Sequence, residues 1–570
     1  MSYVIRPVPV RRTLAAVVAV AVAISSVLLI GSTQPIRASQ AMVVSQDDIA
    51  SRVGAEVMRA GGNAIDAAVA TALALAVTYP AAGNIGGGGF LVYRPAQGDP
   101  VAYDFRETAP GGSYPMMFMQ GGEYDRIIHH ASHLAVGVPG TVAGLHLAWS
   151  EHGSLPWDQL VWPAVTLARN GFRVSHALAR SLASVLPQMA DHPASVSQFS
   201  KQGEPYRVGE TLRQPDLART LLRVAELGPA GFYQGETAAL IAEEMTAGGG
   251  LINRDDLAAY RAVRRTPLAG AYRGYDIISM PPISSGGVAL IQMLNILEGY
   301  DLAASGSGSA ATTHLIIEAM RRAYADRARY LGDPAFNPSM PIEQLTSKEH
   351  AEALRQTIRL DQASVSSPDS FVWPAEGNET THVSVVDGAR NAVSMTYTLE
   401  QSYGSKIVVP GAGFLLNNEM GDFNAAPGMT TETGLIGTGP NLAEPGKRML
   451  SSMTPTILAR DGLFVMAAGS PGGRTIINTV LVTILNVVDF GMNIQEAVDA
   501  PRLHHQWLPD ETHYERWGLS PDTLALLAEK GHTMVETRVQ GAVSAIYYNA
   551  EEDVLEAAED RRRTSAAVGF

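Results

Sequence analysis

The sequence predicts a layered α/β protein. Strand-like segments at 392–399, 413–416, 452–458 and 463–468 alternate with short turns. A glycine-rich turn, Gly469-Ser470-Pro471-Gly472-Gly473-Arg474, then enters a helix through Val487, and strand returns at 541–548. Residues 67–77 are so uniformly apolar that the helix they form must be buried on most sides. At 570 residues, 46% hydrophobic and 17% charged, the chain is long enough for several core-sized units.

The N-terminus is set apart. Arg6, Arg11 and Arg12 precede an uncharged run, 13–31, rich in Ala, Val, Ile and Leu, which reads as the n-region and h-region of an export signal. Small residues at Ala38, Ser39 and Ala41 offer cleavage sites, so maturation near Met42 is expected, with retention as a membrane anchor the alternative. The chain is then periplasmic or secreted. It has no cysteine, so neither disulfides nor thiolate chemistry can contribute. Residues 1–41 hold four arginines and no acid, so their loss makes a formal charge of −14 four units more negative. Such an acidic protein is a poor nucleic-acid binder and points to a small-molecule substrate.

Along the mature chain, Asp47 or Asp48 caps a surface helix running to Ala60, with Ile49, Val53, Val57 and Ala60 on one face and Gly61-Gly62 ending it. Gly86 to Gly89 lead into a strand rather than a helix, and no Lys-Ser/Thr follows. A phosphate loop is excluded, and close backbone packing explains the glycines. The spacing of His129, His130 and His133 fits no common ligand set, so they read as a surface loop. Residues 158–171 and 214–227 are the clearest helices of the next stretch. Residues 268–278 turn strand-like, and Ser284 and Ser285 cap a helix over 288–297. A second helix, 312–330, carries Arg321, Arg322, Arg327 and Arg329 on its polar sides. Residues 345–377 are polar, with Ser-Pro and Trp-Pro punctuation, and read as an exposed, mobile segment.

That segment leads into Glu379 and Thr380. From Thr380, hydroxyl and imidazole side chains alternate with Thr381, Val383 and Val385, the period of a half-buried strand with one polar and one apolar face. Threonine is a weak nucleophile unless a base sits beside it, and a cut before Thr380 would supply its own α-amine, whose reference pKa is about 7.7–8.0. Farther on, the glycine N–H groups of 472–473 at a helix start are suited to an anion.

These motifs occur in one order that resembles the γ-glutamyltranspeptidases, members of the N-terminal nucleophile hydrolases. They are Gly-Gly-Asn-Ala-Ile-Asp-Ala-Ala at 61–68, the glycines at 86–89, Asp-Phe-Arg-Glu at 104–107, Pro-Pro-Ile-Ser-Ser-Gly-Gly at 281–287, Thr-Thr-His-Val-Ser-Val at 380–385, Asn-Asn-Glu-Met-Gly-Asp-Phe at 417–423, Leu-Ser-Ser-Met at 450–453 and Ser-Pro-Gly-Gly at 470–473. The resemblance runs from about Met42 to the C-terminus. It implies a four-layer αββα sandwich and self-cleavage between Glu379 and Thr380. The expected division is a signal or anchor (1–41), a large subunit (42–379) and a small subunit (380–570), the last two forming a heterodimer. It also implies a threonine ester formed from γ-glutamyl amides such as glutathione and passed to water, an amino acid or a peptide.

By position, Thr398 is expected to hydrogen-bond the Thr380 hydroxyl, and the amides of Gly472 and Gly473 to form the oxyanion hole. Arg106, Ser451 and Ser452 would hold the donor's α-carboxylate, and Glu400, Glu419 and Asp422 its α-ammonium. Neither a cofactor nor a metal is called for. Two departures stand out. Glu400 and Glu419 occupy places where well-known members carry Asn and Gln, and Thr433 stands where the lid loop, here 427–438, carries a gating aromatic in several members. Two rivals share the pattern: a glutaryl or cephalosporin-type acylase using the same nucleophile, and an exported binding protein that has lost catalysis.

Overall fold

The computed structural model describes residues 33–367, 380–425, 427–428 and 438–570. The strands that build the site's frame, in chain order, are β1 (Ile36–Ala38), β2 (Met42–Ser45), β3 (Gly88–Arg94), β4 (Val101–Phe105), β5 (Val263–Arg265), β6 (Leu268–Tyr272), β7 (Tyr275–Ser279), β8 (Thr381–Val386), β9 (Ala392–Thr398), β10 (Thr456–Arg460), β11 (Leu463–Gly469), β12 (Ser544–Asn549), β13 (Val554–Glu559) and β14 (Ala566–Gly569). One sheet runs β1-β13-β12-β11-β10-β7-β6, the other β5-β4-β3-β9-β8-β2-β14. Neighbours are antiparallel in both.

The helices that cover them are α1 (Asp48–Arg59), α2 (Ala64–Thr78), α3 (Trp157–Asn170), α4 (Pro215–Leu227), α5 (Gly286–Leu297), α6 (Ala310–Tyr330) and α7 (Thr475–Val488). Alternation along each strand sorts the side chains into two cores. Leu91, Tyr93, Val383, Val385, Val393 and Met395 pack outward against α2, α3 and α4. Phe90, Val92 and Val386 face the other way, into a core shared with β10, β11, β12 and helices α5, α6 and α7. Helix, sheet, sheet, helix is the four-layer αββα order expected.

Local chemistry explains the boundaries. Asn63 and Asp66 form a reciprocal capping box that starts α2, and all fifteen of its residues are buried. Asp47 accepts the Ala50 amide to start α1. The apolar face expected on α1 is half-buried, with Val57 buried and Ile49 and Val53 packed against the core, but a second face lies deeper. Ala50, Gly54, Ala55 and Met58 face inward, and a Cβ on Gly54 would meet Thr71 Oγ1 at 2.2 Å. Only a residue without a side chain lets α1 approach α2 so closely. The glycine run packs as expected: a Cβ at Gly87 would lie 2.1 Å from the Thr398 carbonyl.

Other differences are specific. Residues 413–416 form no strand; a single bridge, Val408 to Leu415, replaces it. The segment expected to be exposed is so over much of 352–365, where Leu360 and Val365 face solvent, but Ser366 is buried and donates its amide to Asp510 at 2.7 Å; residues 368–379 lie outside the described residues. The expected signal cleavage sites run from Ala38, the last residue of β1, to Ala41, just before β2, and both strands belong to the sheets. Arg37 of β1 pairs with Glu552 and Glu556 at 2.7 and 2.8 Å. Residues 1–32 lie outside the described residues, among which no helix is long and apolar enough to cross a membrane.

Candidate active site

Thr380 sits at the head of β8, an inner strand flanked by β9 and β2, and is only 4% exposed. The register pairs Thr381 with Tyr397, which brings Thr398, the last residue of β9, alongside Thr380. The Thr380 hydroxyl donates to Thr398 Oγ1 at 3.3 Å, and Thr398 Oγ1 also accepts the Glu400 amide at 2.9 Å. Glu400 is held at φ +76°, a left-handed conformation that a non-glycine residue keeps only when its surroundings enforce it.

The polar face of β8 does not meet solvent, contrary to the half-buried strand expected. It points between the two sheets. His382 hydrogen-bonds Thr396 Oγ1 at 2.7 Å and Ser384 Oγ at 3.1 Å, Ser384 donates to the Ser544 carbonyl, and Ser394 donates to the Ala468 carbonyl. Burial pushes the His382 imidazole down to about 3, so it is neutral and serves the packing of the sheets. Its ring lies against Gly469, where a Cβ would come within 2.1 Å.

Beyond Gly469 the chain turns through Gly472 (φ +134°) and Gly473 (φ +55°) before α7. The first α7 amides return to that turn, Thr475 N–H to the Gly472 carbonyl and Ile476 N–H to the Gly473 carbonyl, both at 3.1 Å. Both glycines therefore sit just ahead of the positive end of a helix, whose cap residue is Arg474.

Arg106 follows β4 and is fully buried. Its guanidinium is paired through Nη1 with Glu419 and through Nη2 with Asp422, and its Nε donates to the Met449 carbonyl at 3.2 Å. Glu419 and Asp422 reach it from a single 3-10 turn, Glu419–Asp422. Glu107 stands 3.7 Å from Nη1, too far for a hydrogen bond. Burial opposes the Arg106 charge, but Glu419, Asp422 and Glu107 more than offset it and its pKa is raised. The acids give way instead: burial pushes Glu107 up to about 8 and lifts Glu419 well above the usual carboxylate range. The residues expected to bind the two ends of a zwitterion are thus joined to each other.

Ser451 and Ser452 cross from the α5 entrance. Ser451 bridges to Ser284, its carbonyl accepting the Ser285 amide at 2.8 Å and the Ser285 hydroxyl at 2.6 Å. Ser285 therefore does not cap α5 with its side chain, as expected; Ser284 Oγ accepts the Gly286 amide at 3.0 Å. Arg327, expected on a polar helix side, is buried and donates to Ser285 Oγ at 2.6 Å and Ser452 Oγ at 2.8 Å. No sequence signal separates it from Arg329, which is exposed.

One narrow cleft of about 20 Å³, room for little more than a water, is lined by Arg106, Thr380, Thr398, Glu400, Glu419, Asp422, Ser451, Ser452 and Gly473, with Met453 and Ile476. Gly472 is one residue back. A larger groove of about 460 Å³ between α1 and α3 is mostly apolar and has no catalytic grouping.

His129 and His130 are buried, not on a surface loop. His129 hydrogen-bonds Tyr124 and the Met420 carbonyl, and His130 Nδ1 lies 3.4 Å from Glu400. They stand behind the cleft rather than lining it, because the 126–130 helix packs on the Glu419–Asp422 turn, a contact sequence spacing does not reveal. Among the described residues, His314, Glu318 and His532 come close enough to hold a metal. The two imidazoles hydrogen-bond each other at 2.7 Å, and Glu318 pairs with Arg321 and Arg322, which favours a hydrogen-bonded clamp. Glu379 and the lid residues 429–437, with Thr433, lie outside the described residues.

The gamma-glutamyltranspeptidase family profile matches residues 50–570. The chain belongs to that family. It is 47% identical over 543 residues to the glutathione hydrolase proenzyme of Escherichia coli (strain K12), covering 94% of this chain and 93% of that protein. Of solved structures, the gamma-glutamyltranspeptidase of Helicobacter pylori is 44% identical with a TM-score of 0.56, covering 59% of this chain and 95% of its own. A cephalosporin acylase from Bacillus halodurans superposes with a TM-score of 0.83 at 27% identity, covering 94% of this chain and 97% of that one. As a transpeptidase-family enzyme, the chain gathers the residues of its nucleophile motif, its arginine motif and its Leu-Ser-Ser motif around a single cleft.

Proposed function

We propose that this chain is a self-processing γ-glutamyltransferase and glutathione hydrolase. Thr380 Oγ1 attacks the Glu379 carbonyl, the acyl group passes from nitrogen to oxygen, and water hydrolyses the ester to leave a Glu379 carboxylate and a free Thr380 α-amine. That amine then takes the hydroxyl proton as Thr380 attacks a γ-glutamyl amide, and returns it to the leaving amine. The amides of Gly472 and Gly473 hold the oxyanion, and Thr398 orients the nucleophile. Water, or the amine of an amino acid or peptide, accepts the acyl group.

A zwitterionic donor exchanges partners inside the cleft: its carboxylate takes Arg106, with Ser451 and Ser452, while its ammonium draws Glu400, Glu419 and Asp422. The observation that carries this reading is the gathering of Thr380, Thr398, Arg106 and three carboxylates in one cleft. The large and small subunits, ending at 379 and beginning at 380, remain as a heterodimer because each sheet takes strands from both. The protein is exported, periplasmic or secreted, or anchored if residues 1–32 are kept. Since β1 closes a sheet edge, we place the start of the large subunit at or before Ile36 rather than at Met42.

The whole-chain likeness to a cephalosporin acylase favours a second reading, a glutaryl acylase. A donor without an ammonium leaves the carboxylates crowded, and removing one partner of a buried ionic set costs about 3–5 kcal/mol, or roughly 10²–10⁴ in kcat/KM. The test compares γ-glutamyl and glutaryl anilides, with and without a dipeptide acceptor. A strong preference for γ-glutamyl, with product release speeded by the acceptor, is expected. Equal or reversed preference would reject the transferase assignment.

A further inference from the structure

Strand β2 stops at Ser45 because Asp47 turns the chain into α1, so backbone pairing along that edge of β8 ends before the nucleophile is reached. The register sets Ser384 opposite Val44, and carried on by two residues it sets His382 opposite Gln46. There a side chain takes over from the backbone. Gln46 Oε1 accepts the His382 amide at 2.8 Å and the Thr381 hydroxyl at 2.6 Å, while Nε2 donates to Ser544 Oγ at 3.0 Å and to the Ala542 carbonyl at 3.3 Å. The His382 amide can only donate and the Ala542 carbonyl can only accept, so one orientation of the Gln46 amide satisfies all four contacts. The side chain is fully buried.

The contacts continue on the far side. The Ala542 amide donates to Ser470 Oγ at 2.9 Å, and Ser470 Oγ donates to the Pro471 carbonyl at 2.7 Å, one residue ahead of Gly472. Gln46 thus links the residue bonded to Thr380 with the segment that braces the 472–473 turn, across the gap between the two sheets.

We propose that Gln46 is a positioning residue that fixes the spacing between the Thr380 nucleophile and the Gly472-Gly473 amides. The assignment rests on the nucleophile reading given above. Gln46 touches none of the residues expected to hold the donor, so its loss should act on the chemical steps and leave donor affinity alone. Glutamate is an informative replacement: protonated, it keeps the accepting oxygen and has one O–H for the Ala542 carbonyl, leaving the Ser544 hydroxyl to turn and donate to it. Ionised, it turns a bare oxygen on the Ala542 carbonyl, and burial raises the pH at which that happens.

The test uses the full-length chain with Gln46→Met and Gln46→Glu, following the appearance of the two pieces and, after active-site titration, kcat and KM for a γ-glutamyl anilide across pH. Gln46→Met is expected to slow self-cleavage and lower kcat by about 10- to 10²-fold with KM unchanged, the scale expected for displacement of a nucleophile by up to about an ångström. The ratio of Gln46→Glu to wild-type kcat is expected to fall as pH rises. Wild-type cleavage and turnover in Gln46→Met, or a raised KM with unchanged kcat, would overturn the proposal. If Gln46→Met fails to fold, the Gln46→Glu ratio decides, and a flat ratio overturns it. A wild-type small piece that begins elsewhere than Thr380 would instead overturn the nucleophile reading, and this assignment with it.

Discussion

Replacing Thr398 with alanine removes one oxygen that serves two groups. The contact from Thr380 Oγ1 is long, at 3.3 Å, while the contact from the Glu400 amide is a good hydrogen bond at 2.9 Å. The structure therefore predicts two separable losses. The Glu400 amide is left without its acceptor in a buried place, which costs about 1–3 kcal/mol of stability. Thr380 loses the group that orients its hydroxyl, and by analogy with loss of one oxyanion donor kcat should drop by about 10²-fold. KM for an α-ammonium donor should also rise, because Glu400 keeps its left-handed backbone through the same oxygen. Thr398→Ser, which retains the hydroxyl, should recover most of each. The assays are thermal melting, gel separation of the two pieces over time, and steady-state kinetics with a γ-glutamyl anilide. Unchanged cleavage and unchanged kcat in Thr398→Ala would remove Thr398 from the site, and a rescue absent in Thr398→Ser would show that the hydroxyl is not what matters.

Two further substitutions probe the surroundings. Glu107 is pushed up to about 8 by burial, above an ordinary value of 4.5, so its contribution to stability is full below the unfolded value and is lost as pH rises through about 8. Glu107→Gln should flatten the fall in Tm between those limits, with Tm unchanged relative to wild type only at the acid end; an identical pH slope in both proteins would refute the raised pKa. Gly469→Ala forces a methyl group into the His382 ring, which is locked by Thr396 and Ser384, and should cost about 1–3 kcal/mol by overpacking, measured by denaturant unfolding; an unchanged midpoint would show that the sheets can part there.

Much of the frame was legible where a single physical rule governs a segment. The unbroken apolar run of α2 could only be a buried helix, and α3 and α4 follow a helical period. Other elements depend on partners far along the chain. Val554–Glu559 is rich in Ala and Glu and has little intrinsic strand preference, yet it is β13 because β1 and β12 pair with it. Met42–Ser45, expected only as the neighbourhood of a maturation site, is held between β8 and β14. Charge misled in the same way: Arg327, Arg321 and His129 read as surface residues because nothing nearby in sequence announces the serines, carboxylates and carbonyls that bury them. Motif order brought out Thr380, Arg106 and the 472–473 glycines. That Arg106 would be paired with Glu419 and Asp422, and that the polar face of β8 would look into the sandwich, required the fold.

Catalysis by this chain depends on Thr380 becoming an N-terminal residue. Purified from a host that expresses the full chain, the protein should separate under denaturing conditions into a large piece and a small one, and N-terminal sequencing of the small piece should read Thr-Thr-His-Val-Ser-Val, as at 380–385. Thr380→Ala should stay a single chain with no turnover of a γ-glutamyl anilide. A small piece that begins at any other residue, or a Thr380→Ala protein that still cleaves at the same bond, would contradict the assignment of the nucleophile.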